Sequence, residues 1–575
     1  MPAWREQTTD VLILGSGGAG LFAALHAHQA DPSLAITVAV KGLLGKCGCT
    51  RMVQGGYNVA LAKEDSVERH FMDTIEGGKW LPDQELAWKL VTLAIERIRE
   101  LENELGCFFD RNPDGTVHQK AFAGQTFDRT VHKGDLTGIE IINRLAEQVW
   151  ARKIHRLEEF RAVELIKDKS RSAIAGVLFI DMRTGEYQLV RAKAVLIATG
   201  GGPTMYKFHT PSGDKSCDGL AMALRAGLPL RDMEMVQFHP TGLYAGTHTR
   251  MTGTVLEEGL RGSGGYLLNG AGERFMPQYD PRAERATRDV VSRAMYSEMR
   301  RGNTTPNGGL YISMGHLGRD RVAREFKGMV ERCADCGFDL AGGLVEVVPT
   351  AHYMMGGVEF APDCSTALRG LFVAGEDAGG VHGANRLGGN GVANSTVFGA
   401  VAGDTMAEWV NKEDDFWDPD LSQVEEAIAG SEKPFMAKAS LIEPIRERLY
   451  ETMWSKVGII REEAVLRSAL SDLKSLGEEL DRAGVADANR AFNLTWHDWL
   501  NLKSLVQVSR VIAEAALART DSRGAHFRED FPETGALERS AFTSARQNGE
   551  ALEISMRPVA FTRVKPGETL LQSVA

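Results

Sequence analysis

Glycines 15, 17 and 20, in Gly15-Ser-Gly17-Gly-Ala-Gly20, follow the apolar run Val11–Leu14 and open a further apolar segment. Glycine at these spacings serves a tight turn, a close approach of backbone to a pyrophosphate, and helix–strand packing. The N–H groups of the helix start then face the phosphates. An acidic residue that would bind a ribose is missing where the second apolar run ends, in Val40-Lys41-Gly42. Two later glycine-rich strand ends, Ala-Thr-Gly-Gly-Gly at 198–202 and Val-Ala-Gly-Glu at 373–376, bring backbone past a ligand at further points. That repetition favours an extended flavin dinucleotide over NAD. Elsewhere, residues able to bind anions or move protons gather in five short strings. These are QFHPTGL (237–243), EEGLRGSGG (257–265), ATRDVVSRA (286–294), PTAHYMMGG (349–357) and HGANRLGGNGVANS (382–395).

Positioning these strings requires a framework. Val11–Leu14, a helix after the glycines, and Ala35–Val40 read as a βαβ unit. Short, fully apolar strands ending in glycine recur at 194–202 and 370–376, as in a parallel sheet covered on both faces. The expected architecture is α/β, with a Rossmann-like dinucleotide domain (1–245 and 345–412) interrupted by an inserted α+β capping domain (246–344). Segments such as IREEAVLRSALSDLKSLGEELDRA space apolar residues three and four apart, which predicts a helical domain over 413–530. Residues 531–575 lose that period and read as a small C-terminal segment.

Composition excludes several classes. A net charge of −11 argues against nucleic-acid binding, which needs surplus lysine and arginine. No run of about 18 apolar residues is present, and nothing resembling a signal segment precedes the first strand. The chain reads as cytoplasmic, with any attachment to the inner face of a membrane made through other subunits. Seven scattered cysteines read as reduced thiols; Cys333 and Cys336 form a lone CxxC without the second pair that a zinc site needs, so no metal is expected.

In this combination and order the strings resemble the flavoprotein subunits of succinate dehydrogenase and fumarate reductase, with L-aspartate oxidase a close relative. The likeness extends through PIRERLYETMWSKVGIIREE, ARTDSRGAHFREDFP and the terminal MRPV. It implies FAD as cofactor, a fumarate/succinate-type dicarboxylate as substrate, and hydride transfer at flavin N5. By that likeness His239 and His352 hold one carboxylate and Arg386 grips a carboxylate through its fork. Arg288 exchanges a proton with the carbon next to the one that gives or takes hydride, and Glu258 and Arg261 relay it to solvent. Phe122 and Gln125, in KAFAGQTFD, match the stretch that covers the substrate. Cofactor contacts fall on Gly15, Gly17, Gly20, Lys41, Cys49, Thr50, Gln54, Gly55, Gly56, Thr199, Gly200, Gly201, Asp218, Glu376, Arg386 and Asn390. Removing a dianion from water demands paired cations and donors, and the rigid arginine fork suits a carboxylate. Arginine as acid rests on the resemblance, because a guanidinium hardly deprotonates. The blander readings are a structural His352, and an Arg288 that merely pairs with its neighbour Asp289.

Two positions depart from the family. Cys49 stands where many members carry the histidine that bonds to FAD. This favours noncovalent FAD and a lower flavin potential, hence fumarate reduction, with a thioether from Cys49 as the other reading. Glu257 replaces a threonine or serine that donates to a substrate carboxylate, so either it points elsewhere or the substrate carries a polar substituent there. Because clustered iron-binding cysteines are lacking, electrons are expected to pass to an iron–sulfur partner subunit. The alternatives are a self-contained oxidase of the aspartate oxidase kind and an inactive flavoprotein scaffold.

Overall fold

A computed structural model describes residues 4–246, 249, 251–413, 415–549 and 551–571. At its centre lies the expected parallel sheet. Trp4–Leu14 pairs in parallel with Ile36–Val40 on one side and Tyr187–Ile197 on the other, while His155–Glu158 and Leu371–Val373 add further parallel pairings. Ile174–Asp181 and Phe160–Lys167 extend the sheet antiparallel. The helix Gly18–Ala30 is buried from Gly18 through Ala27, because the sheet covers one face and the helix Asn390–Val410 the other. Small residues permit that contact: a Cβ on Gly399 or Gly403 would strike the backbone of Ala19 or Ala23.

Residues between these strands form an antiparallel sheet, ordered Val236–Leu243, Leu344–Met354, Leu310–Ser313 and Tyr266–Leu268. Of its two long strands, Val236–Leu243 lies wholly outside 246–344 and Leu344–Met354 shares only Leu344 with it, so the sheet carrying the insertion begins and ends in the flanking segments. Cys333 is buried in the apolar cluster beneath it with Val322, Phe326 and Met329. All seven cysteines are free thiols, and among the described residues no group of three or more histidine, cysteine or acidic side chains is placed to hold a metal.

Four helices follow, Leu421–Met436, Glu443–Lys456, Glu463–Arg482 and Leu494–Ala518. The third buries Leu466, Ala469, Leu473, Leu476 and Leu480, the stripe that its three- and four-residue spacing dictates. The C-terminal hairpin Ala541–Asn548 and Ala551–Pro558 pairs with Leu230–Arg231. Among the described residues no helix is long and apolar enough to cross a membrane.

Candidate active site

Two helix N-termini point at one cavity. The helices beginning at Gly18 and Asn390 have glycine N-caps (Gly17 and Gly389) and no side-chain cap, and Gly17, Gly18, Gly389 and Gly391 line a cavity of about 590 Å³. Uncapped helix starts offer N–H groups and the positive end of the helix dipole to an anion. Thr50 Oγ1 takes one of these N–H groups, that of Gly18, at 3.0 Å. Gly15 turns with φ +113°, and a Cβ there would collide with the Ala198 carbonyl. A narrower recess of about 60 Å³ over the strand ends shares Gly17, Gly200 and Lys215 with the main cavity, so the two adjoin.

This elongated space brings together most of the expected cofactor positions. Gly17, Cys49, Thr50, Gln54, Gly55, Gly56, Gly200, Glu376 and Arg386 line the main cavity, and Gly15, Lys41, Thr199 and Asp218 the recess. Gln54 Oε1, buried and without a partner among the described residues, adds a polar contact suited to a bound molecule. Lys41 donates to Asp218 at 2.9 Å; Ser216, Arg161 and Ser504 also engage that carboxylate. Burial opposes its charge, yet Lys41 and Arg161 hold the Asp218 carboxyl below the ordinary range. An acid therefore does reach the end of the second strand, from a distant segment. Gly20 and Gly201 serve packing: added Cβ atoms would meet Gly15 O and the Met354 side chain. Asn390 does not face the cavity; Asn58, His70 and Thr74 bind its side chain. Burial, then the nearby Glu376, pushes the Cys49 thiol up to about 12.

At the far end of the cavity the strand Val236–Leu243 presents Gln237 and His239 on one face, as its period of two requires. The Thr241 backbone N–H donates to His239 Nδ1 at 3.3 Å, and the Thr241 hydroxyl donates onward to Leu256 O. Nδ1 is thus an acceptor, and the proton of the neutral ring resides on Nε2. His352, on the paired strand, lies 5.3 Å from the His239 ring centroid and shares a 2.7 Å hydrogen bond with Thr210. Burial and then Arg288 hold both imidazoles well below their usual range, so both are neutral.

Arg288 opens the helix Arg288–Arg300, the unfavourable end of a helix for a cation. Glu258 compensates it with hydrogen bonds of 2.7 and 3.1 Å, and Gln237 Oε1 accepts a third at 2.9 Å. Glu258 accepts from Arg261 at 3.0 Å through its other oxygen. Burial alone would raise the Glu258 carboxyl, but Arg288 and Arg261 hold it below the ordinary range. The Arg288–Asp289 pairing does not form. Asp289 Oδ1 is unpartnered among the described residues.

Arg386 stands differently. Its guanidinium lies 4.4 Å from the Tyr353 ring centroid and donates to the Leu387 carbonyl; among the described residues no carboxylate pairs with it, and Nε is buried without a partner. Burial and then Arg288 bring it down to about 10. Phe122 lines the cavity beside Glu258 and Arg288, and Gly388 packs so closely that a Cβ would lie 3.1 Å from Arg288 Nη2. Gln125 does not reach the cavity lining and instead donates to Gly388 O at 3.0 Å. His382 lies behind Tyr353 with both ring nitrogens unpartnered among the described residues. Glu257 lines the cavity, buried, and accepts a 3.1 Å hydrogen bond from Lys120; burial pushes its carboxyl up.

Sequence reasoning passed over Gln237, Tyr353, Gly388 and Lys120. Gln237 sits two residues from His239 on a strand and was readable from that spacing. Tyr353 and Gly388 adjoin named residues, while Lys120 carries no local signal of its pairing with a residue 137 positions away.

Comparison with known proteins identifies the family. The FAD binding domain family matches residues 10–392, and the fumarate reductase flavoprotein C-terminal family matches 446–570. One subunit of the fumarate reductase (CoM/CoB) of Methanothermobacter marburgensis is 41% identical over 532 residues, covering 91% of this chain and 95% of that protein. The fumarate reductase flavoprotein subunit of Escherichia coli K12 is 34% identical, covering 91% and 88%. A solved quinol fumarate reductase chain of E. coli superposes with a TM-score of 0.92 at 31% identity, covering 98% of this chain and 99% of that one. The chain therefore belongs to the fumarate reductase and succinate dehydrogenase flavoprotein family and is an FAD-dependent oxidoreductase.

Proposed function

We propose that this chain interconverts fumarate and succinate, or a close dicarboxylate analogue, and exchanges electrons with an iron–sulfur partner subunit. The observation that carries this reading is Arg386, a buried guanidinium that has no carboxylate partner among the described residues and faces the same cavity as Arg288. A cation removed from water needs an anion, and the fork of arginine matches a carboxylate. FAD, when bound, supplies the acceptor or donor of a hydride.

The protein's own residues supply the rest. Arg386 clamps a carboxylate. His239 and His352, both neutral, act as hydrogen-bond partners without adding charge, and His239 Nε2–H serves as a donor. Phe122 excludes water over the reacting carbons. In fumarate reduction one carbon receives hydride and its neighbour takes a proton from Arg288. Glu258, bonded to Arg288 and Arg261 through different oxygens, returns a proton from the Arg261 side. Succinate oxidation runs the same transfers backward. Cys49 leaves FAD noncovalent, because a thiol held protonated by burial is a poor nucleophile. Loss of a histidyl link to the flavin favours fumarate reduction as the working direction.

Purified protein is reduced anaerobically and mixed with fumarate. Reoxidation of the flavin with formation of succinate is expected. Flavin that stays reduced refutes the reading, and rapid oxygen consumption with L-aspartate would replace it with the oxidase. Succinate oxidation with a quinone-like dye as fast as fumarate reduction would refute the assigned direction.

A further inference from the structure

Glu257 poses an electrostatic problem that the dicarboxylate reading alone leaves open. Its carboxylate lines the cavity next to Glu258, where a second substrate carboxylate would meet it. Arg288 and Arg386 line this end, and Glu258 is already held by Arg288 and by the buried Arg261, so the charge beside Glu258 is positive and suits an anion. An unpaired Glu257 would oppose it.

Lys120 cancels the extra charge from behind. It lies on the strand Gln119–Lys120, held by pairing with Thr130–Val131, and is not among the cavity-lining residues. Its ammonium reaches Glu257 Oε2 at 3.1 Å and Gly134 O at 3.4 Å, and sits 5.7 Å from the Phe122 ring centroid. The two partners come from separate parts of the chain: Glu257 from the turn before the short helix Gly259–Gly262, Lys120 from a hairpin beside the flavin cavity. The same hairpin carries Phe122 two residues on.

We infer that Lys120 is a positioning residue for substrate charge: it draws the Glu257 carboxylate aside and neutralises it, so that a cavity with an added acid still accepts a dianion. This rests on the dicarboxylate reading above. It makes an unsubstituted dicarboxylate compatible with Glu257, because the acid already has its cation and needs no amine or hydroxyl on the substrate. The other charged groups facing Glu257 are Asp135 and Arg332.

The test is a charge cycle on FAD-loaded protein, read as the Kd of malonate from its perturbation of the flavin spectrum and as KM for fumarate. Lys120→Met is expected to weaken malonate on the order of tenfold or more near pH 8.5, by a like-charge interaction across the cavity. The weakening should shrink as pH is lowered, because burial favours the protonated form of Glu257. Glu257→Gln is expected to tighten malonate, and Lys120→Met/Glu257→Gln to recover most of the lost affinity. A merely structural Lys120 would instead give a loss independent of pH and unrelieved by Glu257→Gln, which overturns the inference. So does a Lys120→Met protein with unchanged affinity over the whole range. If wild-type protein neither binds malonate nor reduces fumarate, the dicarboxylate reading fails and takes this inference with it. Wild-type binding with a failed cycle removes the inference alone.

Discussion

Arg288 donates to a single oxygen of Glu258 twice, through Nη2 at 2.7 Å and Nε at 3.1 Å. Both hydrogen bonds end on one oxygen, which leaves the other free to accept from Arg261 at 3.0 Å. The carboxylate thus joins two guanidiniums that would otherwise repel. Glu258→Gln keeps the shape but removes the charge and one acceptor. We expect kcat for fumarate reduction to fall about 10²-fold or more with a much smaller change in KM, the pattern of a lost proton transfer. Equal kcat in the two proteins would refute the relay.

Arg386 makes its own prediction. Arg386→Lys retains the charge but loses the fork and the stacking on Tyr353. Malonate affinity should drop on the order of tenfold, since a charged bidentate contact gives way to a single one. Calorimetric titration of FAD-loaded protein checks this, and unchanged affinity would place the carboxylate clamp elsewhere.

Cys49 predicts how flavin is released. Acid precipitation of the native protein should leave all FAD in the supernatant, and Cys49→Ser should retain a full FAD complement before precipitation. Yellow colour in the pellet of the wild type but not of Cys49→Ser would establish a thioether.

A pH dependence of stability follows from the buried histidines. His239, His352, His382 and His526 are all held well below their usual range, chiefly by burial. Unfolding raises each toward about 6.5, so the unfolded chain binds more protons once pH drops below that value. The stability these groups contribute is therefore present above about pH 6.5 and lost progressively below it. Thermal unfolding should show Tm falling from about pH 7.5 to about pH 5.5, and falling less in His382→Asn, because the His382 ring makes no hydrogen bond among the described residues. A flat profile would contradict this assignment.

Local patterns in the chain carried much of this architecture. The glycines at 15, 17 and 20 announce the βαβ start, and close backbone requires two of them: a Cβ on Gly15 or Gly20 would strike the carbonyl of Ala198 or of Gly15. The stripe from Leu466 to Leu480 announces its helix through spacing alone. The antiparallel sheet was less legible: Val236–Leu243 is buried on both faces, so alternation is lost, and register shifts interrupt its pairing before Phe238 and after His239. Side chains that act through partners far along the chain were the hardest to read. Asn390 lies in a string shared with the family, yet its amide turns away to His70 and Asn58. Asp218 reaches the strand end from a segment with no ribose-binding pattern, and nothing near Lys120 announces Glu257.

The helix Gly18–Ala30 waits long for its cover. It packs against Asn390–Val410, and the strand Tyr187–Ile197 gains its neighbour Leu371–Val373 only after the whole insertion has intervened. During synthesis from the N-terminus, the part of the first helix that Asn390–Val410 covers stays open to water until the chain beyond residue 400 has emerged. Contacts so distant in sequence close slowly, and partly made chains expose surface that aggregates. Assembly of this nucleotide-binding unit is therefore a late event in the life of the nascent chain, and chaperone demand should be greatest before the helix at 390 is made.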